Sequence, residues 1–584
     1  MRKKIASLPI LSRHSKKEAA VLVDVRGQVK RGLWVVGFFS LFLNLLVLVS
    51  PLYMLQVYDR VLTSGSLPTL ISLTLIAAFA IGAMVLLDVY RQQILHKVAH
   101  WAERRLVPDV LGAAVNASSK GVGVGAQPLR DLGTLRTFIG GHGILPFFDA
   151  PWLPIFALII WLMHPALGVL TFCCIFVMLG LAWLNESYSR ERTQRANKAS
   201  VAATADIEAG LRNADVLRGM GMLPAWLRRH RQQAEAISDE ADSLGEGVGW
   251  ISGASRFLRM FMQIAILGLG AYLVLKAELT SGGMMAASIL FGRALSPVER
   301  AIETWKGVLV SRTAYARVNA LLKEYAVTDE GMSLPVPQGR LTVESLVYTP
   351  PGSQVPTLRN VNFALEPGQA LCIVGPSGSG KTTLCRLLTG IVSPNYGHVR
   401  LDGADYDQWK ADELGQYIGY LPQDVELFSG TVRENIARLG EASDEAVLEA
   451  AKMADVHDLI LKLPYGYETD IGTNGALLSA GQRQRIGLAR ALYNMPKIVV
   501  LDEPNANLDS DGEMALVATL GTLRAAGTTV VMVTHRPSMM TFIDKMLVMR
   551  EGQQAFFGNR DEIINTLTKP QAKVGQKQPQ GLTV

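Results

Sequence analysis

Hydrophobic and polar positions divide this chain of 584 residues into two unlike parts. Up to about residue 300 the pattern is one of long uncharged stretches, and from about residue 338 it becomes the mixed pattern of a soluble α/β sequence. No charge falls within residues 32–56 or within residues 67–87. Each stretch is long enough to cross a hydrocarbon core of about 30 Å at about 1.5 Å per residue. Residues 150–185 are uncharged apart from His164, and His164 with Pro165 supplies the turn between two further spans. The apolar runs 260–275 and 279–292 are shorter, so a fifth and a sixth helix are expected to continue into polar surroundings, taking in Arg256, Arg259 and Arg293. The pattern therefore predicts an all-α membrane domain of six transmembrane helices with long cytoplasmic extensions, followed by an α/β P-loop nucleotide-binding domain. Expected boundaries are 1–30 for a cytoplasmic N-terminal segment, 31–320 for the membrane domain, 321–338 for a linker containing Pro335 and Pro337, 339–568 for the nucleotide domain and 569–584 for a disordered tail rich in Gln, Pro, Lys and Gly.

Charge refines the topology. The formal charge is +6, but basic residues sit beside the apolar stretches rather than in one soluble patch, which argues against a nucleic-acid partner. Arg2, Lys3, Lys4, Arg13, Lys16 and Lys17 precede the first span. Arg91, Lys97, Arg104 and Arg105 follow the second; Arg190, Arg192, Arg228, Arg229 and Arg231 follow the fourth. The alternate connections are short and nearly neutral, so the positive-inside rule places both termini in the cytoplasm. The first span is too long for a cleaved signal peptide and is expected to remain as an anchor. The two long inner connections have helical patterning, and short turns near residues 128–141 and 213–224 are expected at their far ends. Cys173, Cys174, Cys372 and Cys385 lack metal-ligand spacing, so core packing is expected of all four.

Candidate chemistry lies in the second part. Gly375-Pro-Ser-Gly-Ser-Gly-Lys-Thr382 fits G-x-x-x-x-G-K-[ST], and an apolar strand, residues 371–374, precedes it. Gly375, Pro376, Ser377, Gly378, Ser379 and Gly380 would form a loop whose N–H groups close on nucleotide phosphates. Lys381 would reach the β/γ-phosphates, Thr382 would hold Mg²⁺ through its hydroxyl, and Thr383 follows in a helix aimed at the same anion. Phosphoryl transfer also needs a metal ligand, a carboxylate that orients water and a γ-phosphate sensor. Asp502, ending an apolar strand, is the expected Mg²⁺ ligand, Glu503 the base and His535 the sensor; Gln423 is expected to touch Mg²⁺ or the attacking water. Tyr348 could stack on adenine or pack in the core. Ser479, Gly481 and Gln482 begin another helix and are expected to meet γ-phosphate, and Asp509 to lie where two nucleotide domains meet.

With Leu478-Ser-Ala-Gly-Gln482 placed just before the Asp502-Glu503 strand, the chain resembles the ABC transporter superfamily over nearly its whole length. The resemblance implies that residues 375–382 are the Walker A loop, Gln423 the Q-loop residue, 478–482 the signature, Asp502 Walker B, Glu503 the catalytic carboxylate, 506–509 the D-loop and His535 the switch histidine. Ala480 stands where many members have Gly, and Thr473 where many exporters have Glu. Because one signature completes the site of another domain in this superfamily, a homodimer of half-transporters is implied. Phe148-Asp-Ala-Pro-Trp-Leu-Pro154, Ser281-Gly-Gly-Met-Met-Ala-Ala-Ser288 and Glu503-Pro-Asn-Ala-Asn-Leu-Asp509 resemble type I secretion permease/ATPases, the protease, lipase and S-layer protein exporters. That resemblance implies a bacterial inner-membrane ATPase that exports an unfolded polypeptide, with ATP, Mg²⁺, membrane lipids, a periplasmic adaptor and an outer-membrane channel as its ligands and partners. Leader-peptide cleavage by this chain is not expected, since no Cys precedes Cys173. Arg256, Arg259 and Arg293 either line an opening for an acidic segment or simply flank the membrane. A lipid or drug exporter of the same architecture, a tethered regulatory ATPase and a DNA-acting relative are the alternatives; six spans argue against the last, and Glu503 with His535 against a dead regulator.

Overall fold

The computed structural model describes residues 19–326 and 331–568. Its chain divides into two compact units, one made of helices and ending near residue 327, the other beginning near residue 328. The N-terminal basic cluster and the tail expected after residue 569 lie outside the described residues.

Among the described residues the first unit is built from six long helical runs. The first comprises Ala19–Leu46, Val49–Gln56, a π-helical turn Val57–Val61 and Leu62–Ser64, and ends at Gly65 with φ +62°. The second, Leu67–Ser119, passes through Pro108 without ending. The third is segmented as Gln127–Gly140, Leu145–Asp149, Ala150–Trp152 and Leu153–Met163. Its breaks coincide with Gly140, Gly141 and Gly143 and with Pro151 and Pro154, residues that interrupt helical hydrogen bonding. His164 is extended and its Nδ1 accepts the Ala166 N–H at 3.2 Å, starting the fourth helix, Pro165–Arg212. Leu223–Leu275 and Ser281–Tyr325 complete the set.

Among the described residues, five helical runs are apolar and long enough to cross a membrane; Ser281–Tyr325 is not one of them. The reason is the short apolar stretch in that helix, ended by Arg293, Glu299 and Arg300. It is nevertheless the most buried of the six, with Phe291, Ala294 and Leu295 fully enclosed beside Phe156, Ile160, Met178 and Ile266. Lipid-type burial is inverted on the outer helices, where Trp34, Phe38 and Phe79 are exposed.

Three expectations change here. Residues 128–141 are not a turn: Pro128 opens the helix Gln127–Gly140, whose Asp131 is buried and held by Arg317 at 2.6 and 2.7 Å. Proline is tolerated in the first helical turn, so here it marks a helix start, and the reversal falls instead at residues 120–126, with Gly121 at φ +85° and Gly125 at φ +50°. The sixth helix persists to Tyr325, so the helix covers the first residues assigned to the linker, and likewise Ala19–Leu46 begins inside the N-terminal segment. Cys173 is exposed on its helix, whereas Cys174, Cys372 and Cys385 are buried. The other reversal, between the fourth and fifth helices, carries the short helix Ala214–Gly219 and Gly221 at φ +65°.

The second unit is organised on one ten-stranded sheet in the order β5-β4-β1-β2-β10-β9-β3-β8-β7-β6. β1 (Leu341–Tyr348), β2 (Leu358–Leu365), β4 (Tyr396–Leu401) and β5 (Ala404–Asp405) pair antiparallel. β3 (Ala370–Val374), β6 (Ile418–Leu421), β7 (Ile498–Asp502), β8 (Thr529–Val533) and β9 (Lys545–Arg550) form the parallel part. β7 and β8 are buried at every position, as strands covered by helices on both faces must be. β10 (Gln553–Asn559) joins the halves, pairing antiparallel with β9 and touching β2 through the one register pair Gln553 and Arg359.

Candidate nucleotide site

The carboxyl ends of β3, β7 and β8 bring the expected residues together, in the position where open α/β sheets bind ligands. After β3 the chain enters residues 375–380 and then the helix Lys381–Leu388. Small residues are required here. A Cβ on Gly375 would lie 2.4 Å from the Met549 carbonyl oxygen, and one on Gly380 would lie 2.7 Å from Leu358 Cδ2. Gly378 and Gly380 have φ of +77° and +94°, the left-handed region that side chains disfavour. Lys381 Nζ donates to the carbonyls of Gly375 at 2.8 Å and Pro376 at 3.0 Å, folding the ammonium back over the loop.

β7 delivers Asp502, 1 % exposed, and then Glu503, whose φ is +51°. The Glu503 N–H donates to the Val533 carbonyl at 3.1 Å, which fixes this unusual backbone against the end of β8. Gln423, just past β6, donates from Nε2 to Glu503 Oε2 at 3.1 Å, so two residues eighty positions apart share one hydrogen bond. Burial pushes the Asp502 carboxyl above the usual carboxylate range, with Glu503 adding repulsion; the Thr382 hydroxyl bond, Lys381 and Arg386 act in the opposite direction. His535 is exposed directly after β8, and Thr534 beside it donates to Asn505 Oδ1 at 3.2 Å.

Among the described residues two buried polar atoms at this place have no partner, Ser379 Oγ and Asp502 Oδ2. Buried polar groups are normally satisfied, and an exception at a glycine cradle and helix N-terminus fits a polyanionic ligand with its cation. Among the described residues no three His, Cys, Asp or Glu side chains cluster as a metal cage. Thr382, Asp502 and Gln423 are the sparse oxygen donors that would hold Mg²⁺, keeping its waters, beside nucleotide phosphates. Bound there, the ion would neutralise phosphate charge.

Ser479 caps the helix Ala480–Leu492 in a reciprocal box: its Oγ accepts the Gln482 N–H at 3.3 Å and its N–H donates to Gln482 Oε1 at 2.8 Å. Asp509 caps Ser510–Ala525, accepting the Gly512 N–H at 2.9 Å, and that bond chiefly holds its carboxyl below the usual range. Two residues that the motifs did not single out connect these caps. Gln484 donates to the Pro504 carbonyl at 3.1 Å, and Arg485 reaches Asp509 at 3.2 Å and Asp455 at 3.1 Å. Their place in the helix immediately after Gln482 is the one signal of this in the sequence. Tyr348 is 8 % exposed and packed in the apolar cluster of β1, β2 and β3.

The geometry agrees with comparisons to known proteins. The family described as ABC transporter matches residues 358–506, and the ABC transporter transmembrane region matches residues 33–297. The type I secretion system ATP-binding protein PrsD of Rhizobium meliloti (strain 1021) is 41 % identical over 543 residues, covering 92 % of this chain and 93 % of that protein. The toxin RTX-I translocation ATP-binding protein of Actinobacillus pleuropneumoniae is 26 % identical, covering 90 % and 75 %. In fold, a bacterial Atm1-family ABC exporter with ATP bound superposes with a TM-score of 0.79 at 22 % identity, covering 92 % of this chain and 96 % of that one. A multi-pass helical unit joined to an ATPase unit, and near-full-length similarity to a type I secretion ATP-binding protein, lead to one conclusion: this chain belongs to the ABC transporter family, as an ATP-hydrolysing exporter of the type I secretion group.

Proposed function

We propose that the chain is the inner-membrane motor of a type I secretion system, pairing with a second copy of itself and exporting an unfolded polypeptide. The observation that carries this reading is the 41 % identity to PrsD across nearly the full length of both proteins. In this reading Glu503 orients or activates the attacking water, Gln423 and His535 sense metal and γ-phosphate, and the loop 375–382 holds ATP with Mg²⁺.

Dimerisation is supported by how the signature is wired. Ser479, Gly481 and Gln482 sit at a capped helix start tied to residues 504–509, where Gly481 leaves 3.0 Å between a Cβ and the Asn507 carbonyl. Its free N-terminal end is thereby presented for a phosphate that a second copy would supply. ATP would close the paired domains, and hydrolysis with product release would reopen them. The basic connections containing Arg104, Arg105, Arg228 and Arg229 support a cytoplasmic nucleotide unit and cytoplasmic termini. A periplasmic adaptor and an outer-membrane channel complete the route.

The test is ATP turnover by purified protein in lipid, with and without the C-terminal segment of a candidate secreted protein, and with Glu503→Gln as control. A rate change specific to that segment and absent with small amphiphiles is the expected result. Stimulation by amphiphiles alone would replace the polypeptide substrate with a lipid or drug.

A further inference from the structure

A cavity of about 260 Å³ opens among the first, second, third and sixth helical runs of the membrane unit. Arg91 forms part of its wall and is 6 % exposed. Its Nη2 donates to Asp88 at 2.7 Å, and its Nη1 donates to Ser40 Oγ at 3.0 Å and Asp149 Oδ1 at 3.1 Å, yet the buried Nε has no partner. On the sixth helix Arg293 and Arg300, two turns apart along one face, line the same cavity and are exposed. Among the described residues neither guanidinium has an ion pair or hydrogen bond. Asp88 and Asp149 are committed to Arg91, and Asp149 also accepts from Asn44 at 3.2 Å. Three guanidiniums therefore face two carboxylates, and the surplus positive charge rests on the two unpaired arginines. The helix between them is prepared for this: Pro297 has no N–H for the Arg293 carbonyl, and Ser296 Oγ donates to that carbonyl at 3.2 Å instead.

Depth identifies what could enter. From Ser281 to Arg300, and from Leu67 to Asp88, the helices rise roughly 28 and 32 Å, about one hydrocarbon thickness. The cavity thus reaches from roughly 18 Å along the sixth helix, at Arg293, to headgroup level at Arg300, in the leaflet opposite the short connections. Its remaining wall includes Val85 and Val89, both exposed and apolar.

We infer that this cavity binds the phosphate of an anionic phospholipid headgroup. Arg293 and Arg300 grip the phosphate oxygens, Arg91 holds the wall beside them through Ser40, Asp88 and Asp149, and the acyl chains run along Val85 and Val89. Inorganic phosphate offers the same oxygens without the apolar tail.

The full chain is placed in nanodiscs of phosphatidylcholine with a minority of phosphatidylglycerol, and lipids retained on release are identified by native mass spectrometry. Phosphatidylglycerol should be enriched over its bulk fraction. The enrichment should fall by roughly twentyfold in Arg293→Gln/Arg300→Gln, survive largely in Arg293→Lys/Arg300→Lys, and be unchanged in Arg190→Gln/Arg228→Gln, whose arginines lie outside the cavity. Because Arg293 and Arg300 are exposed and unpaired, melting midpoints of these variants should match that of the parent protein. Equal retention by parent and Arg293→Gln/Arg300→Gln would overturn the proposal. So would displacement of the lipid by inorganic phosphate, which would make the site one for free anion, or by an acidic peptide, which would make it part of a polypeptide path. The readout does not depend on ATP turnover or on the secreted substrate.

Discussion

Carboxylates are buried in both units of this exporter, with opposite consequences. In the membrane unit the buried Asp131 is clasped by Arg317 through two bonds and accepts a third from Gln127 at 2.9 Å, and the half-buried Asp149 is bonded by Arg91 and Asn44. In the nucleotide unit Asp502 is as deeply buried, but one of its oxygens has no partner. The first group is complete without a ligand and holds helices together; the second is incomplete, as a ligand site is before it is filled. Removing the first should cost stability, whereas removing the second should cost activity and leave stability equal or improved.

The sharpest test of the second half is Glu503→Gln, which should lower ATP turnover by on the order of 10² to 10³ while nucleotide binding persists; a variant retaining more than a tenth of the rate would remove Glu503 from the chemistry. In the membrane unit Asp131→Ala strands Arg317 in a half-buried place and should cost about 3 kcal/mol, read as a lower melting midpoint in lipid. Gly282→Ala should cost about 2 kcal/mol, because its Cβ would lie 2.7 Å from both Asp59 Oδ1 and the Leu55 carbonyl. Asp502→Asn should do the reverse and raise the melting midpoint of nucleotide-free protein by about 3 °C while abolishing turnover. The pH dependence has the same origin. The folded Asp502 carboxyl titrates above its unfolded value, so the folded state gains stability as pH falls toward that range and loses it as pH rises through it. Asp509, held low, contributes with the opposite sign, its stabilisation vanishing as pH falls. If Asp502→Asn instead melted lower than its parent, the contrast between the two units would fail.

The same contrast governs how much of each unit is legible in the sequence. The nucleotide residues occur in short strings with fixed local geometry, so Gly375, Lys381, Asp502 and Glu503 stand out as a site. The bond from Gln423 to Glu503 does not, because it spans eighty residues and depends on β6 lying beside β7. In the membrane unit the uncharged runs mark helices but not their ends, since a helix does not stop where its surroundings turn polar. The runs Phe148 to Pro154 and Ser281 to Ser288 are legible as resemblance alone. Their physical content is tertiary: Asp149 meets Arg91 and Asn44, and Asp59 accepts the Thr280 hydroxyl at 2.6 Å and the Gly282 N–H at 2.8 Å. The same holds for Arg256 and Arg259, which in sequence either line an opening or flank the membrane, and which in the structure meet Glu299 and Glu303 across to the sixth helix.

The narrow seam of the ten-stranded sheet has a mechanical consequence. Among the described residues one register pair, Gln553 and Arg359, crosses it, supported by the Arg359 N–H donating to the Gly552 carbonyl at 2.7 Å and the Asn362 N–H donating to Gln554 Oε1 at 2.8 Å. Gly552, with φ +78°, could carry no side chain, since a Cβ there would lie 2.2 Å from the Thr357 carbonyl. The antiparallel strands are thus joined by few backbone bonds and held mainly by the shared core, where Phe363 packs on Phe557, while β7 and β8 share a full ladder. With fewer ladder bonds to open at this seam, deuterium should enter the Arg359 amide well before those of Val500 and Val531.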